Sequence, residues 1–396
     1  MISSSTDAVS EHIRLLTPDL VTLRQHLHQN PELSDCEEET SRLVAERLDR
    51  LGIRTRTGVG GFGVVADLGD DRSGPRLALR ADMDALPILE ENEFPYRSNN
   101  PGVMHACGHD GHTAILLGVA DVLHRRQGEL PGPVRLIFQP AEETVGGAAR
   151  MCADGVMEGV AGVVALHGWL ELPAGHVGVR GGPSMASADT FDITVVGRGA
   201  HAACPHLAVD PIVIASRIVL SLQSLVSREI DPLEPAVVTV ARINAGTAYN
   251  IIPATAAIAG TVRTLNASVR DQLERAIRRV AEGECAASGA ACELRYTRGV
   301  PPVVNDRALA ELVADVATAC VGADAVTDDL IPSMGAEDFA VYQAHAPGVM
   351  FRLGIGDGPS GHTSRFDFND AAIPVGVEVM SRLCLQGLRP RSETEI

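Results

Sequence analysis

Three short apolar runs in this chain each stop abruptly at a cluster of ionisable side chains, and that repeated punctuation constrains the fold more than any other feature. Leu77-Ala78-Leu79 runs into Arg80-Ala81-Asp82-Met83-Asp84. Leu136-Ile137-Phe138 runs into Gln139-Pro140-Ala141-Glu142-Glu143, and Val164-Ala165-Leu166 into His167-Gly168-Trp169. Continuous apolar runs belong to strands buried on both faces, as in a parallel sheet covered by helices. In open α/β sheets, ligands gather beyond the carboxyl ends of the strands. Convergence of these ends brings two Asp, two Glu and one His together. Carboxylates crowded in this way need a counter-charge, which a metal ion supplies most directly.

Between the first two clusters lies Met104-His105-Ala106-Cys107-Gly108-His109-Asp110-Gly111-His112, with three His, one Cys and one Asp in nine residues. Thiolate and imidazole are preferred ligands of zinc and related transition metals. Gly108 and Gly111 allow a tight backbone, so Cys107 and His109 are expected to point inward from a loop, with a helix beginning at His112. Glu142 and Glu143 leave their strand in different directions. One can bind metal while its neighbour takes a proton from water, the division of labour that metal-assisted hydrolysis needs. The alternative for the pair is an acidic helix N-terminus, which Gly146-Gly147 makes a poor fit.

Helix-like segments alternate with short apolar runs along the chain, which predicts an α/β fold: a mostly parallel central sheet flanked by helices. Helices are expected at about 11–29, 37–51, 112–126, 307–319, 336–345 and 371–385. The middle of the chain differs in rhythm. Strand, helix, two strands, helix and strand follow in order from Thr190 to Tyr296, the β-α-β-β-α-β ferredoxin-like unit. A separate inserted domain is therefore expected over 185–299, within a first domain made of 1–184 and 300–396. The 396 residues, 45% of them apolar, are ample for this division.

Several function classes are excluded or disfavoured. Gly58-Val59-Gly60-Gly61-Phe62-Gly63 has the spacing of a dinucleotide-binding loop, but that loop needs a buried strand before it and a helix after. Here Ile53 to Thr57 is poorly apolar and Val64 to Leu68 is strand-like. A formal net charge of −18 argues against nucleic acid or an anionic membrane as partner. No uninterrupted apolar run approaches the roughly 20 residues that span a bilayer. The start of the chain lacks the charged and apolar regions of a secretory signal. Eight scattered cysteines without a CxxC pair read as reduced thiols. A cytoplasmic location is expected.

These strings resemble the M20 metallopeptidase family, in its aminoacylase-like amidohydrolase branch of hippurate hydrolases, N-acetyl amino acid deacetylases and plant indole-acetyl amino acid hydrolases. The likeness runs from Leu27-His28-Gln29-Asn30-Pro31-Glu32-Leu33 through Met104 to Thr113 and Gly197 to His206, and on to Met334-Gly335-Ala336-Glu337-Asp338-Phe339 and His362 to Asn369. It implies two divalent metal ions (Mn, Zn, Co or Ni) held by Cys107, His109, Glu143, His167 and His362. It makes Glu142 the general base and Asp84 an orienting partner of a ligand histidine. It makes the inserted domain a lid and dimerisation domain, in a homodimer or homotetramer. His201 would reach the partner subunit's active site, and Asn250 and Arg263 would bind the substrate carboxylate. The implied substrate is an N-acyl amino acid, such as an N-acetyl or benzoyl derivative. Alternatives are a metallo-dipeptidase of the same family, a cysteine hydrolase using Cys107 with His105 or His109, and an inactive binding protein. The chain departs from the family pattern at Ala200, at Thr144-Val145, and at Gly361 and Ser364 around the terminal His, none of which removes a ligand or the base.

Overall fold

A computed structural model describes residues 3–69 and 74–388. Met1 and Ile2, at the polar start of the chain, lie outside the described residues. Within the described residues the chain divides into two compact units, Met1–Gly182 with Val304–Ile331 and Asp338–Ile396, and Pro183–Val303 with Pro332–Glu337. Relative to the expected 185–299, the inserted unit is a few residues longer at each end and also takes up 332–337.

The first unit is built on an eight-stranded sheet. Its centre consists of Val134–Gln139, Arg76–Asp82, Val160–Trp169 and Gly348–Gly354, paired in that order and all parallel. Gly63–Leu68 and Thr55–Val59 add antiparallel strands on one side, and Val177–Gly178 and Val326–Thr327 complete the other. Val134–Gln139 and Gly348–Gly354 are buried at every position, as parallel strands covered on both faces must be. The parallel register aligns Asp82 with Gln139 and His167 with Arg352, so the polar strand ends share one edge.

Helix His109–Arg125 is buried almost throughout. It packs in the same core as Leu20, Leu23, Val377 and Met380. It begins three residues earlier than expected, because Gly108 takes a left-handed φ of 91° at the N-cap position. His109 thus sits in the first helical turn and not in a loop. Helix Glu38–Arg50 shows its boundaries in sequence: acidic Glu38 and Glu39 in the first turn, basic Arg47 and Arg50 in the last, and Gly52 at φ 78° beyond the end. Glu32 caps it, its carboxylate accepting the Thr40 amide at 2.8 Å.

Several elements depart from expectation, among them helix Gly147–Ala153, which begins at the glycine pair read as a poor helix start, and the first helix, which begins at Ser3. Thr55–Val59 is a strand, but an edge strand with three exposed residues and hence no apolar signature. It forms a hairpin with Gly63–Leu68, so the glycine-rich stretch turns between strands and opens no helix. Gly348–Gly354 was not evident because Arg352 interrupts its apolar run; that guanidinium stacks 3.9 Å from the Trp169 ring centroid. The helix expected over 336–345 is reduced to Ala340–Gln343. Tight bonds from Val341 to the Asp338 carbonyl and from Tyr342 to the Phe339 carbonyl wind the segment before it.

The second unit is an antiparallel four-stranded sheet in the order Ala236–Ala245, Thr255–Thr264, Asp189–Val196, Ala291–Arg298. Helices Pro211–Ser224 and Ala267–Ala287 cover one face and share a core with Phe191, Ile193, Val195 and Ile258. The strand Asp189–Val196 alternates buried and less buried positions accordingly. By length and composition alone, Pro211–Glu229 is apolar enough to cross a membrane. In the fold, its Ile214, Ile218, Leu222 and Leu225 pack into this unit's own core.

Candidate metal centre

The polar strand ends of the first unit and the turn at Gly108 assemble one cluster of donor atoms. His109 donates Nδ1–H to the Asp84 carbonyl at 2.9 Å, with Asp84 Oδ1 3.3 Å away. Its Nε2 is buried and has no hydrogen-bond partner among the described residues. His167 lies two residues before the end of strand Val160–Trp169; Nδ1 donates to the Gly168 carbonyl at 2.8 Å, and Nε2 faces Cys107 Sγ at 3.5 Å. His362 Nε2 lies 3.4 Å from Glu143 Oε1, a second buried atom without a hydrogen-bond partner among the described residues. The His362 amide donates to the Ala106 carbonyl at 2.8 Å, tying this late loop to the Cys107 segment. His362 adopts a left-handed φ of 59°, a costly conformation for a non-glycine residue that tends to persist at functional sites.

Donor atoms of Cys107, His109 and His167 lie within 4.8 Å of one another, as do those of Cys107, Glu143 and His362, and those of His109, Glu142 and Glu143. The first two sets share Cys107, and the first and third share His109. The chemistry of this donor set fits transition-metal ions: one thiol, three imidazoles each offering Nε2, and a carboxylate. The partnerless His109 Nε2 and Glu143 Oε1 fit it too, since buried polar atoms are otherwise paired. Burial pushes the Cys107 thiol up to about 12, with His109 opposing. Burial and the neighbouring His112 push His167 down to about 3, leaving its imidazole neutral. Burial also opposes charge on His109, but Asp82, Cys107 and Asp84 outweigh it and raise its pKa well above the ordinary value. The facing Glu143 carboxylate raises that of His362. A cation among these groups supplies the charge that favours thiolate and neutral imidazole.

A second layer orients the donors. Asp82, His109 and His112 form a further close group, but Asp82 and His112 are committed within the protein. His112 donates Nδ1–H to Asp82 Oδ1 at 2.7 Å and accepts the Gly168 amide on Nε2 at 2.9 Å. Asp82 Oδ2 accepts from Arg80 at 2.7 Å. Arg80 reaches on to Gln139 at 2.8 Å and Asp338 at 3.0 Å, and is itself buried. Asp82 therefore serves as an anchor for His112, and through it for the backbone beside His167. The sequence did not single out Arg80, His112 or Asp338 for this role. The available signal was an arginine inside an otherwise apolar strand, a charge that must be paired to be buried.

Asp84 is buried and accepts from Ser34 at 2.6 Å and from the Glu143 amide at 3.0 Å, on the same oxygen. Glu142 is buried beside Glu143. The remaining candidates belong to the inserted unit. His201 is exposed in a two-residue strand opposite Ile251, its Nδ1 accepting the Ala203 amide at 3.1 Å. Asn250 lies next to it, accepting the Ala202 amide on its carbonyl at 3.0 Å. Arg263 stands apart on Thr255–Thr264, half-buried, its guanidinium on the Val262 carbonyl at 3.3 Å.

A parallel sheet that collects thiol, imidazole and carboxylate donors at its strand ends, with a further buried glutamate alongside, is the construction of a metal-dependent hydrolase. The chain belongs to the peptidase family M20/M25/M40, whose sequence profile matches residues 78–386. It is 42% identical over 362 residues to the N-acetyl-L-cysteine deacetylase of Bacillus subtilis (strain 168), covering 91% of this chain and 86% of that one. It is 45% identical over 288 residues to an N-acyl-L-amino acid amidohydrolase of Geobacillus stearothermophilus, covering 72% and 78%. Among solved structures it resembles a dinuclear metal binding peptidase of the M20 family from Bacillus subtilis, with a TM-score of 0.85 and 36% identity over 94% of this chain and 98% of that one.

Proposed function

We propose that this protein hydrolyses N-acyl amino acids to a carboxylic acid and a free amino acid with two bound divalent metal ions. The observation that carries the reading is the pair Glu142-Glu143, set among Cys107, His109, His167 and His362 with two buried donor atoms left without a hydrogen bond among the described residues. Cys107, His109, Glu143, His167 and His362 would hold the ions, with Asp84 orienting His109 through Nδ1. Zn, Mn, Co and Ni all suit this donor set. Bound there, such ions lower the pKa of water and polarise an amide carbonyl. Glu142 acts as general base: it takes a proton from the attacking water and passes it to the nitrogen as the C–N bond breaks. His201 donates a hydrogen bond to the oxyanion of the tetrahedral intermediate. Asn250 and Arg263 bind the carboxylate of the amino acid.

Names of the relatives support the substrate class, since two act on N-acetyl-L-cysteine and N-acyl-L-amino acids. A homodimer is supported by the inserted unit. Ile212, Val213 and Leu220 are exposed on its first helix, and Val237 and Ile243 on the strand at the sheet edge. An apolar edge of this kind invites a second copy. Eight free thiols support a reducing, cytoplasmic location.

The test is a hydrolysis screen of N-acetyl and N-benzoyl amino acids beside free dipeptides, on protein stripped by chelator and reloaded with each metal. Turnover of the acyl amino acids that disappears on stripping and returns on reloading is the expected result. Preference for dipeptides assigns the dipeptidase activity instead. Undiminished activity of stripped protein overturns the metal reading and leaves Cys107 as a nucleophile.

A further inference from the structure

The segment 30–37, between the first two helices, runs against both acidic loops of the centre. The Glu32 carbonyl accepts the Ala85 amide at 2.8 Å. Ser34 Oγ donates to Asp84 Oδ2 at 2.6 Å. Glu37 Oε1 accepts the Ala141 amide at 2.7 Å. The last of these is the least expected. Glu37 is fully buried, and among the described residues it forms no ion pair and its Oε2 has no hydrogen-bond partner. Burial pushes its carboxyl up to about 7, against the backbone amides that favour its charge. Burying an acid without a cation is costly, and an apolar side chain would fill the same space without that cost.

What the acid does is visible at Ala141. This residue has a left-handed φ of 52°, a conformation that side chains disfavour unless surrounding contacts enforce it. Its carbonyl accepts the Gly146 amide at 3.3 Å and the Gly147 amide at 3.1 Å, closing the turn that carries Glu142 and Glu143. Its own amide lies beyond the end of strand Val134–Gln139. Glu37 is the group that satisfies it. The turn is thus closed through the Ala141 carbonyl and moored through the Ala141 amide.

We propose that Glu37 is a positioning residue for the hydrolytic reaction, aiming Glu142 by holding the Ala141 amide beneath the glutamate turn. This rests on Glu142 being the general base. What matters is a buried acceptor at this point, one that also keeps Glu143 in register with Asp84.

Two variants of the metal-loaded enzyme test it. Glu37→Met keeps the length of the side chain and removes the acceptor; Glu37→Gln keeps an acceptor oxygen and removes the charge. The kcat of Glu37→Met falls 10–100-fold, the usual effect of removing a supporting hydrogen bond, with KM within about 3-fold of wild type and metal content unchanged. Hydrogen exchange in the peptide 139–147 becomes faster. Glu37→Gln restores both kcat and exchange to near wild type. Wild-type kcat in Glu37→Met, or failure of Glu37→Gln to restore it, overturns the proposal. If Glu37→Met does not fold, Glu37→Gln decides: near-wild-type kcat and exchange support the acceptor role, and a loss of 10-fold or more refutes it. The exchange measurement needs no substrate. An error in the substrate assignment therefore shows as absent turnover in wild type, and an error in the mooring shows as unchanged exchange.

Discussion

At the scale of single residues, the adjacent glutamates should fail in different ways. On the proposed roles, Glu142→Gln keeps the metal donors and loses the base, so kcat should drop by roughly 10²–10⁴-fold with metal content retained. Glu143→Gln should release metal, because its Oε1 faces both His362 and His109. Metal analysis beside kinetics separates the two, and full metal in both variants with activity lost only in Glu143→Gln would reverse the roles. His28 is a separate case, a buried histidine bonded to Asp110 at 2.8 Å. Burial disfavours its charged form, yet hydrogen bonds to Asp110 and Glu90 prevail over that and over the nearby Arg24, holding its pKa at about 9. His105, Phe94 and Tyr96 complete its surroundings. A raised folded value means that the contribution is complete below pH 6.5 and drains away as pH rises towards 9. It amounts to about 3 kcal/mol in order of magnitude. Unfolding free energies from pH 6 to 9.5 should fall in wild type and flatten in His28→Gln; an equal slope in both would remove His28 as the cause.

At the scale of elements, the glutamate turn explains why part of the site is legible in sequence and part is not. The donor-rich string from His105 to His112 and the Glu pair stand out because such residue types rarely cluster without a ligand. The strand ends were legible for the same reason, as abrupt changes from apolar to ionisable. The supporting contacts were not, because they join residues far apart in sequence: Ser34 to Asp84, Glu37 to Ala141, Arg80 to Asp338. Helix Gly147–Ala153 begins on a glycine, which propensity argues against. The reason is tertiary. A Cβ on Gly147 would lie 1.6 Å from the Pro140 carbonyl oxygen. Gly147→Ala must therefore push the turn apart, with a loss of about 2–4 kcal/mol in stability and of activity with it. Two residues earlier the sign reverses. Val145 holds a left-handed φ of 51°, which a β-branched side chain tolerates poorly. Val145→Gly should gain roughly 0.5–1 kcal/mol, the strain relieved less the added freedom of the unfolded chain. Denaturant melts of the two variants should shift in opposite directions, and a shift of the same sign in both would remove backbone geometry as the cause.

At the scale of the whole molecule, the division into two units poses a question about assembly. Cys107, His109, Glu143, His167 and His362 all belong to the first unit, and His201 belongs to the inserted one. An exposed histidine carried on a separate unit becomes part of a reaction only when closure or a partner chain delivers it. The exposed apolar edge of the same unit supports the partner route. If His201 acts on the partner's substrate, His201→Ala and Glu142→Gln homodimers are each nearly inactive. A mixed dimer then contains one site with an intact Glu142 and an intact His201 from the other chain, and a second site with neither. Mixing the two inactive proteins under subunit exchange should restore activity, up to about half of the wild-type value per mixed dimer. Delivery within one chain gives the opposite result, since each site of the mixed dimer then lacks one of the two groups. Differently tagged variants, co-purified to isolate the mixed species, make the measurement decisive: regained turnover assigns His201 to the neighbouring site, and silence in verified heterodimers assigns it to its own.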